Sequence, residues 1–162
     1  SRYRRYGPLI PRHRATIIVG FEPLEALRAL SSYGNPLTRV IMNLHPNYPL
    51  GVLSGADTYP ETQALMEAVR RISAGVLAFN ATEIAHHMGS PVAANMVMTG
   101  ALAGSELLPM AVPAYEKVIG ELFSGPARQL NLEAFRAGVL IARGDLPAVW
   151  GTQASLLKDG GK

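Results

Sequence analysis

The sequence has no cysteine. That excludes disulfides, and it excludes iron–sulfur clusters held by this chain, because such clusters rest mainly on Cys thiolates. No apolar run reaches the roughly 18 residues that a membrane-spanning helix requires. The most apolar region, Val92 to Leu108, is broken by Asn95, Thr99, Gly100, Gly104 and Glu106. No apolar h-region follows the charged first residues, so no secretory signal is read. No G-x-G-x-x-G follows a strand-like run and no P-loop is present, which removes two common phosphate cradles. There is no internal repeat, and no acid precedes residue 15. What is present is 162 residues with 48% hydrophobic and 17% charged content. That length suits one domain with one real core, and the composition excludes a disordered chain. The reading is of a soluble, cytoplasmic α/β protein with no membrane association.

The formal net charge of +3 is unevenly placed. Arg2, Arg4, Arg5, Arg12 and Arg14 crowd the first 14 residues, and the rest of the chain is slightly acidic. Gly7, Pro8 and Pro11 exclude a regular helix there, so residues 1–14 are expected to form an irregular basic arm. Clustered Arg can neutralise phosphates, and Tyr3 and Tyr6 could stack on bases. No nucleic-acid motif accompanies them, and Arg is equally at home in protein interfaces, so nucleic acid is the weaker reading.

Three short, β-branched or apolar runs read as buried strands: Ala15–Phe21, Thr38–Met42 and Gly75–Phe79. Helical periodicity separates them. Pro23 suits the first turn of a helix that Gly34, Asn35 and Pro36 end. A helix is expected over 61–72, with Leu65, Met66 and Val69 inward. Asn80 caps another that Gly89 stops. Pro91 opens the next, and further helices are expected over 114–123 and 131–143. The loop from Asn43 to Pro60 is long, and Val52 and Leu53 could form a short strand within it. Alternation of strand and helix predicts a mostly parallel sheet with helices on both faces, a three-layer α/β fold. The domain is expected over 15–157, with a flexible tail over 158–162.

No residue is assigned a catalytic role. Glu22 follows the first strand, and ligands of open α/β sheets bind outside the strands' carboxyl ends. It is therefore a ligand or partner contact, or simply a carboxylate at a helix start. Asn43 and His45 follow the second strand at the same edge. Asn95 sits in an apolar helix and, if buried, needs hydrogen-bond partners. Ala93, Val97, Gly100 and Gly104 form a small-residue stripe, expected to be a subunit interface or else a contact within the monomer. His86-His87 resembles a metal pair, but adjacent helical residues diverge by about 100°. A helix C-terminus explains them, and no metal site is expected.

Several blocks together resemble one family. They are Arg5-Tyr6-Gly7-Pro8-Leu9-Ile10-Pro11, Ala15 to Leu27 with its Phe21-Glu22-Pro23-Leu24-Glu25-Ala26-Leu27 run, and Asn43. Further along come Asn95-Met96-Val97, Gly100-Ala101-Leu102, Leu108-Pro109, and Asn131-Leu132-Glu133-Ala134-Phe135 with Gly138. In order and spacing they resemble the gamma-type subunit of 2-oxoacid:ferredoxin oxidoreductases, most of all the small subunit of the indolepyruvate (aryl pyruvate) type. Thr16 stands where the family carries Asp. The family's opening strand, its G-x-G-G-Q-G turn and its R-G-G segment have no counterpart, so the domain is expected to be incomplete at its N-terminus. Such a chain would leave apolar surface to cover, by a homo-oligomer or a partner.

The resemblance implies an accessory subunit of an assembly that oxidatively decarboxylates a 2-oxoacid to an acyl-CoA. Thiamine diphosphate and the iron–sulfur clusters would be carried by a large partner subunit, CoA would be a substrate of the complex, and electrons would pass to ferredoxin. The chain alone would bind none of these cofactors. The other class of reading is a free-standing α/β module that binds a small anionic ligand near Glu22 and Asn43.

Overall fold

The computed structural model describes residues 9–48, 50–56 and 58–145. Most of the basic arm, the segment Arg5–Pro8 and the tail over 158–162 lie outside the described residues. Strands β1 (Ile17–Gly20), β2 (Arg39–Asn43) and β3 (Gly75–Phe79) form one sheet in the order β1-β2-β3. Both pairings are parallel, with Ile17 beside Arg39 and Arg39 beside Gly75. The three expected strands are present, each within a residue or two of its expected bounds.

Each pairing is parallel because a helix carries the chain back across the sheet. Helix α1 (Pro23–Tyr33) joins β1 to β2. A single helical turn, α2 (Leu50–Leu53), and helix α3 (Thr62–Arg71) join β2 to β3. Val52 and Leu53 thus turn as helix where a short strand was expected. The turn is closed by its own backbone bonds, from the Ser54 N–H to the Leu50 carbonyl at 2.9 Å and from the Gly55 N–H to the Val52 carbonyl at 3.1 Å.

Side chains alternate across the strands and so build two cores. Ile18, Val40, Met42 and Ala78 pack with Ala26, Leu30, Met66 and Val69 of α1 and α3. Val19, Ile41, Leu77 and Phe79 point to the other face. That face is covered by α4 (Ala81–His87), a 3-10 turn (Pro91–Ala93), α5 (Ala94–Gly104) and α7 (Gly125–Arg143). The result is the three-layer arrangement. Helix α6 (Val112–Leu122) packs outside α7 through Ile119, Phe135 and Val139.

The close contact predicted for the small-residue stripe is made inside the chain. Ala93, Val97, Gly100 and Gly104 are all buried, and α7 covers the glycines. A Cβ on Gly100 would lie 1.8 Å from the Phe135 carbonyl oxygen, and one on Gly138 would lie 1.9 Å from that of Val97. At Gly104 the nearest atom, the Val139 oxygen, is 2.7 Å away. The two helix backbones therefore touch, and no side chain larger than hydrogen fits between them. The partner of this stripe is α7, not a second subunit.

The last helix is longer than expected. Asn131 has the residue type of a helix cap, but its Nδ2 donates to the Ala127 carbonyl one turn back, at 2.8 Å. The helix starts at Gly125 instead, with Pro126 in its first turn, where a missing N–H costs nothing.

Replacing Gly100 by Ala should cost about 1–3 kcal/mol of unfolding free energy, because backbone must shift. Replacing Gly120 by Ala should be neutral or stabilise by about 0.5–1 kcal/mol, since a Cβ there meets nothing within 4 Å. Denaturant unfolding of the two variants checks the contrast.

Candidate functional site at the carboxyl edge of the sheet

The carboxyl ends of the strands bring Glu22 and Asn43 to one edge, as their positions after β1 and at the end of β2 require. Asn43 is 4% exposed, and its amide is fully engaged. Nδ2 donates to the Phe21 carbonyl at 3.2 Å and to Thr82 Oγ1 at 3.0 Å. Oδ1 accepts from the Ala81 N–H at 2.9 Å and the His45 N–H at 3.3 Å. One side chain thus ties the end of β1, the start of α4 and the first turn of the long loop to β2. An amide with both donors and both lone pairs used has nothing left for a ligand. Asn43 holds the edge in shape from behind.

Glu22 caps α1. Its Oε1 accepts from the Glu25 N–H, and its Oε2 accepts from the Leu24 N–H at 3.2 Å. Oε2 also accepts from Tyr59 Oη at 2.7 Å. This last bond straps the far end of the 43–60 loop onto the start of α1. Tyr48 meets the Tyr59 ring edge-on, with centroids 5.1 Å apart, and closes the loop upon itself. Burial pushes the Tyr59 phenol above its ordinary range, and the hydrogen bond to Glu22 and its negative charge push the same way.

Beside this strap lies a cleft of about 250 Å³ lined by Glu22, Leu24, Glu25, Arg28 and Asn47. Arg28 is held by Glu25 at 2.6 Å. Two carboxylates against one paired guanidinium make a poor seat for an anion. This counts against the reading of a free-standing module for small anions. The volume is also below the roughly 300–1,000 Å³ usual for small-molecule pockets. A second groove, of about 350 Å³, lies between the α5–α6 connection and Arg143. Its lining is mostly apolar, including Leu108, Met110 and Val112.

The other expected residues fall elsewhere or play different parts. His45 is exposed next to Asn43. Asn95 is exposed on the first turn of α5, so the premise of a buried amide is corrected. His86 and His87 are exposed at the end of α4, and His87 Nδ1 donates to the Glu83 carbonyl at 2.9 Å. Among the described residues no three His, Asp or Glu side chains come together as a metal site. Tyr59 and Tyr48 were not picked out from the sequence. Tyr59 lies 37 residues from Glu22, and nothing in their spacing announces the contact.

Glu22→Gln should weaken the α1 cap by about 0.5–1 kcal/mol and lower the Tyr59 transition part of the way, with burial still holding it above its ordinary range. Because the folded-state value is raised, the contribution of the Tyr59 proton to stability is complete below about pH 10 and is lost above it. Ultraviolet titration of tyrosinate in the two proteins reads this directly. Asn43→Ala should cost about 2–4 kcal/mol in denaturant unfolding, since it strands several buried partners at once.

Residues 3–141 match the family described as Pyruvate ferredoxin/flavodoxin oxidoreductase. The chain is similar to the indolepyruvate oxidoreductase subunit IorB of Archaeoglobus fulgidus, with 35% identity over 132 residues. That match covers 82% of this chain and 65% of the relative, so the chain spans about two thirds of its length. The same subunit of Pyrococcus horikoshii is 32% identical, covering 85% of this chain and 68% of the relative. Among solved structures, 2-oxoglutarate:ferredoxin oxidoreductase from Magnetococcus marinus, with 2-oxoglutarate, coenzyme A and succinyl-CoA bound, superposes with a TM-score of 0.53. It is 26% identical and covers 80% of this chain and 20% of that one.

Proposed function

Because the chain belongs to the pyruvate ferredoxin/flavodoxin oxidoreductase family, we propose that it is an accessory component of a 2-oxoacid:ferredoxin oxidoreductase, of the indolepyruvate or a related aryl pyruvate type. The observation that carries this is the identity of 32–35% to subunits so named, sustained over more than four fifths of the chain. In this reading oxidative decarboxylation to an acyl-CoA belongs to the whole assembly, and electrons leave it to ferredoxin.

The redox groups are assigned to the assembly on the family reading. This chain has no thiolate for a cluster. Among the described residues no acidic or imidazole cluster stands ready for the cation that a diphosphate requires. In this reading thiamine diphosphate and the clusters belong to a large partner subunit. No helix among the described residues is long and apolar enough to cross a membrane, and a cytoplasmic assembly is the simplest setting.

The part left to this chain is positional. Glu22 and the exposed His45 present a polar edge to a partner, with Asn43 holding both in place. Asn95, exposed on α5, is a second contact of the same kind.

The purified chain should give no indolepyruvate- and CoA-dependent reduction of a viologen dye. Mixing it with the large subunit should give turnover above that of the large subunit alone. Turnover by the isolated chain, or a large subunit indifferent to its addition, would overturn the proposal.

A further inference from the structure

The opposite edge of the sheet has a different character. Three segments meet there: 9–16 before β1, 32–39 between α1 and β2, and 70–75 between α3 and β3. Backbone hydrogen bonds bind them together. The Ala15 N–H donates to the Tyr33 carbonyl at 2.8 Å, Arg39 N–H to Thr16 at 3.0 Å, and Ala74 N–H to Thr38 at 2.8 Å. None of the three segments contains Asp or Glu. They carry five arginines, of which Arg12, Arg14, Arg39 and Arg71 are exposed and Arg70 is half-buried.

The same three segments carry large apolar side chains that are exposed among the described residues. Leu9 is 83% exposed and Leu37 82%, and Ile10, Tyr33 and Ile72 are each about half exposed. Arginine interleaved with large apolar and aromatic groups is the composition of protein interfaces, whereas a phosphate-binding face has little use for bare Leu and Ile.

The surface is also built rather than incidental. Asn35 Nδ2 donates to the carbonyls of His13 and Ala15 at 3.1 and 3.2 Å. The buried Thr38 hydroxyl donates to Ala15 at 2.7 Å, and His13 Nδ1 donates to the Gly34 carbonyl at 3.1 Å. His13 takes a left-handed backbone, with φ of 58°, to make that turn. The root of the basic arm is thereby fixed on the α1–β2 turn, with Arg12 and Arg14 held on either side of the anchored histidine.

We propose that this amino-terminal edge of the sheet is the docking surface for an acidic face of the large partner subunit, with Leu9, Ile10, Leu37 and Ile72 as the apolar centre and the arginines as its charged surround. The inference rests on the accessory-subunit reading above and specifies where that subunit binds. Charge complementarity selects the partner face: with no acid in the three segments, a carboxylate-rich protein surface would neutralise them, and the bare apolar groups among them favour protein over phosphate. The remaining arginines, Arg2, Arg4 and Arg5, precede the anchored root and add charge of the same sign.

The test measures binding of the large subunit to the full chain by calorimetry at several salt concentrations. The quadruple change R12E/R14E/R39E/R71E should weaken binding by more than about tenfold and flatten its salt dependence. Leu37→Ser should weaken binding by about tenfold while leaving the salt dependence in place. Lys117→Glu, on α6, should change neither. Thermal unfolding of each variant near that of the unaltered chain shows that folding is kept. If the large subunit binds and the arginine reversals have no effect, the surface is overturned and the accessory role stands. If the unaltered chain does not bind the large subunit at all, both are overturned. Tight binding of a single-stranded RNA oligonucleotide, lost on the same reversals while the large subunit is retained, would replace the acidic protein with a nucleic acid.

Discussion

The backbone contact between α5 and α7 is the constraint on which the rest of the structure depends. Gly100 and Gly138 each face a carbonyl of the other helix at a distance that leaves no room for a methyl group. Helices this close press their neighbouring side chains into shared layers, so Val97, Met98, Ala134 and Ile141 lie fully inside with Phe79 and Ile41 of the sheet. Each buried side chain of that size contributes roughly 1.5–3 kcal/mol, so the seam determines how much of the second core is realised. It also sets where α6 rests, because Phe135 and Val139 of α7 form the floor beneath Ile119.

The two ends of the sheet divide the polar work. At the carboxyl end a single amide, Asn43, joins two strands, a loop and a helix start, and a carboxylate, Glu22, receives three donors. At the amino end Asn35 and Thr38 do the corresponding joining. The charges nearby differ in sign. Glu22 and Glu25 mark one end, and four exposed arginines mark the other. An elongated charge separation of this kind orients the molecule in the field of a charged partner before contact is made.

The strands were legible because each is a short apolar run with helical periodicity on either side, and the parallel sheet follows from that alternation. The close seam was legible as a stripe but not its partner: spacing shows that small residues share a face, not which helix lies against them. The last helix begins six residues before the expected Asn131, whose amide instead donates to a carbonyl one turn back within the longer helix. Asn95 misled because an apolar neighbourhood in sequence does not place a residue on the inner face. Tyr59 was invisible because its bond to Glu22 depends on the path of a long loop that local pattern does not encode. The grouping of arginines with bare leucines at one edge needed the register of the three strands, since the segments lie far apart along the chain.

The position of α7 in the chain has a consequence for how the molecule is made. Both strand pairings are parallel and join segments separated by whole helices, so no hairpin can form early as a local nucleus. The first core closes once α3 and β3 have followed α1. The second core, around Ile41 and Phe79, gains α4 and α5 first and is completed only when the 19-residue α7 lays its glycine against α5. Until then the inner faces of α5 and of the preceding turn, with Val97, Met98 and Ala93, lack their last covering layer, and apolar surface exposed in such an intermediate is prone to associate.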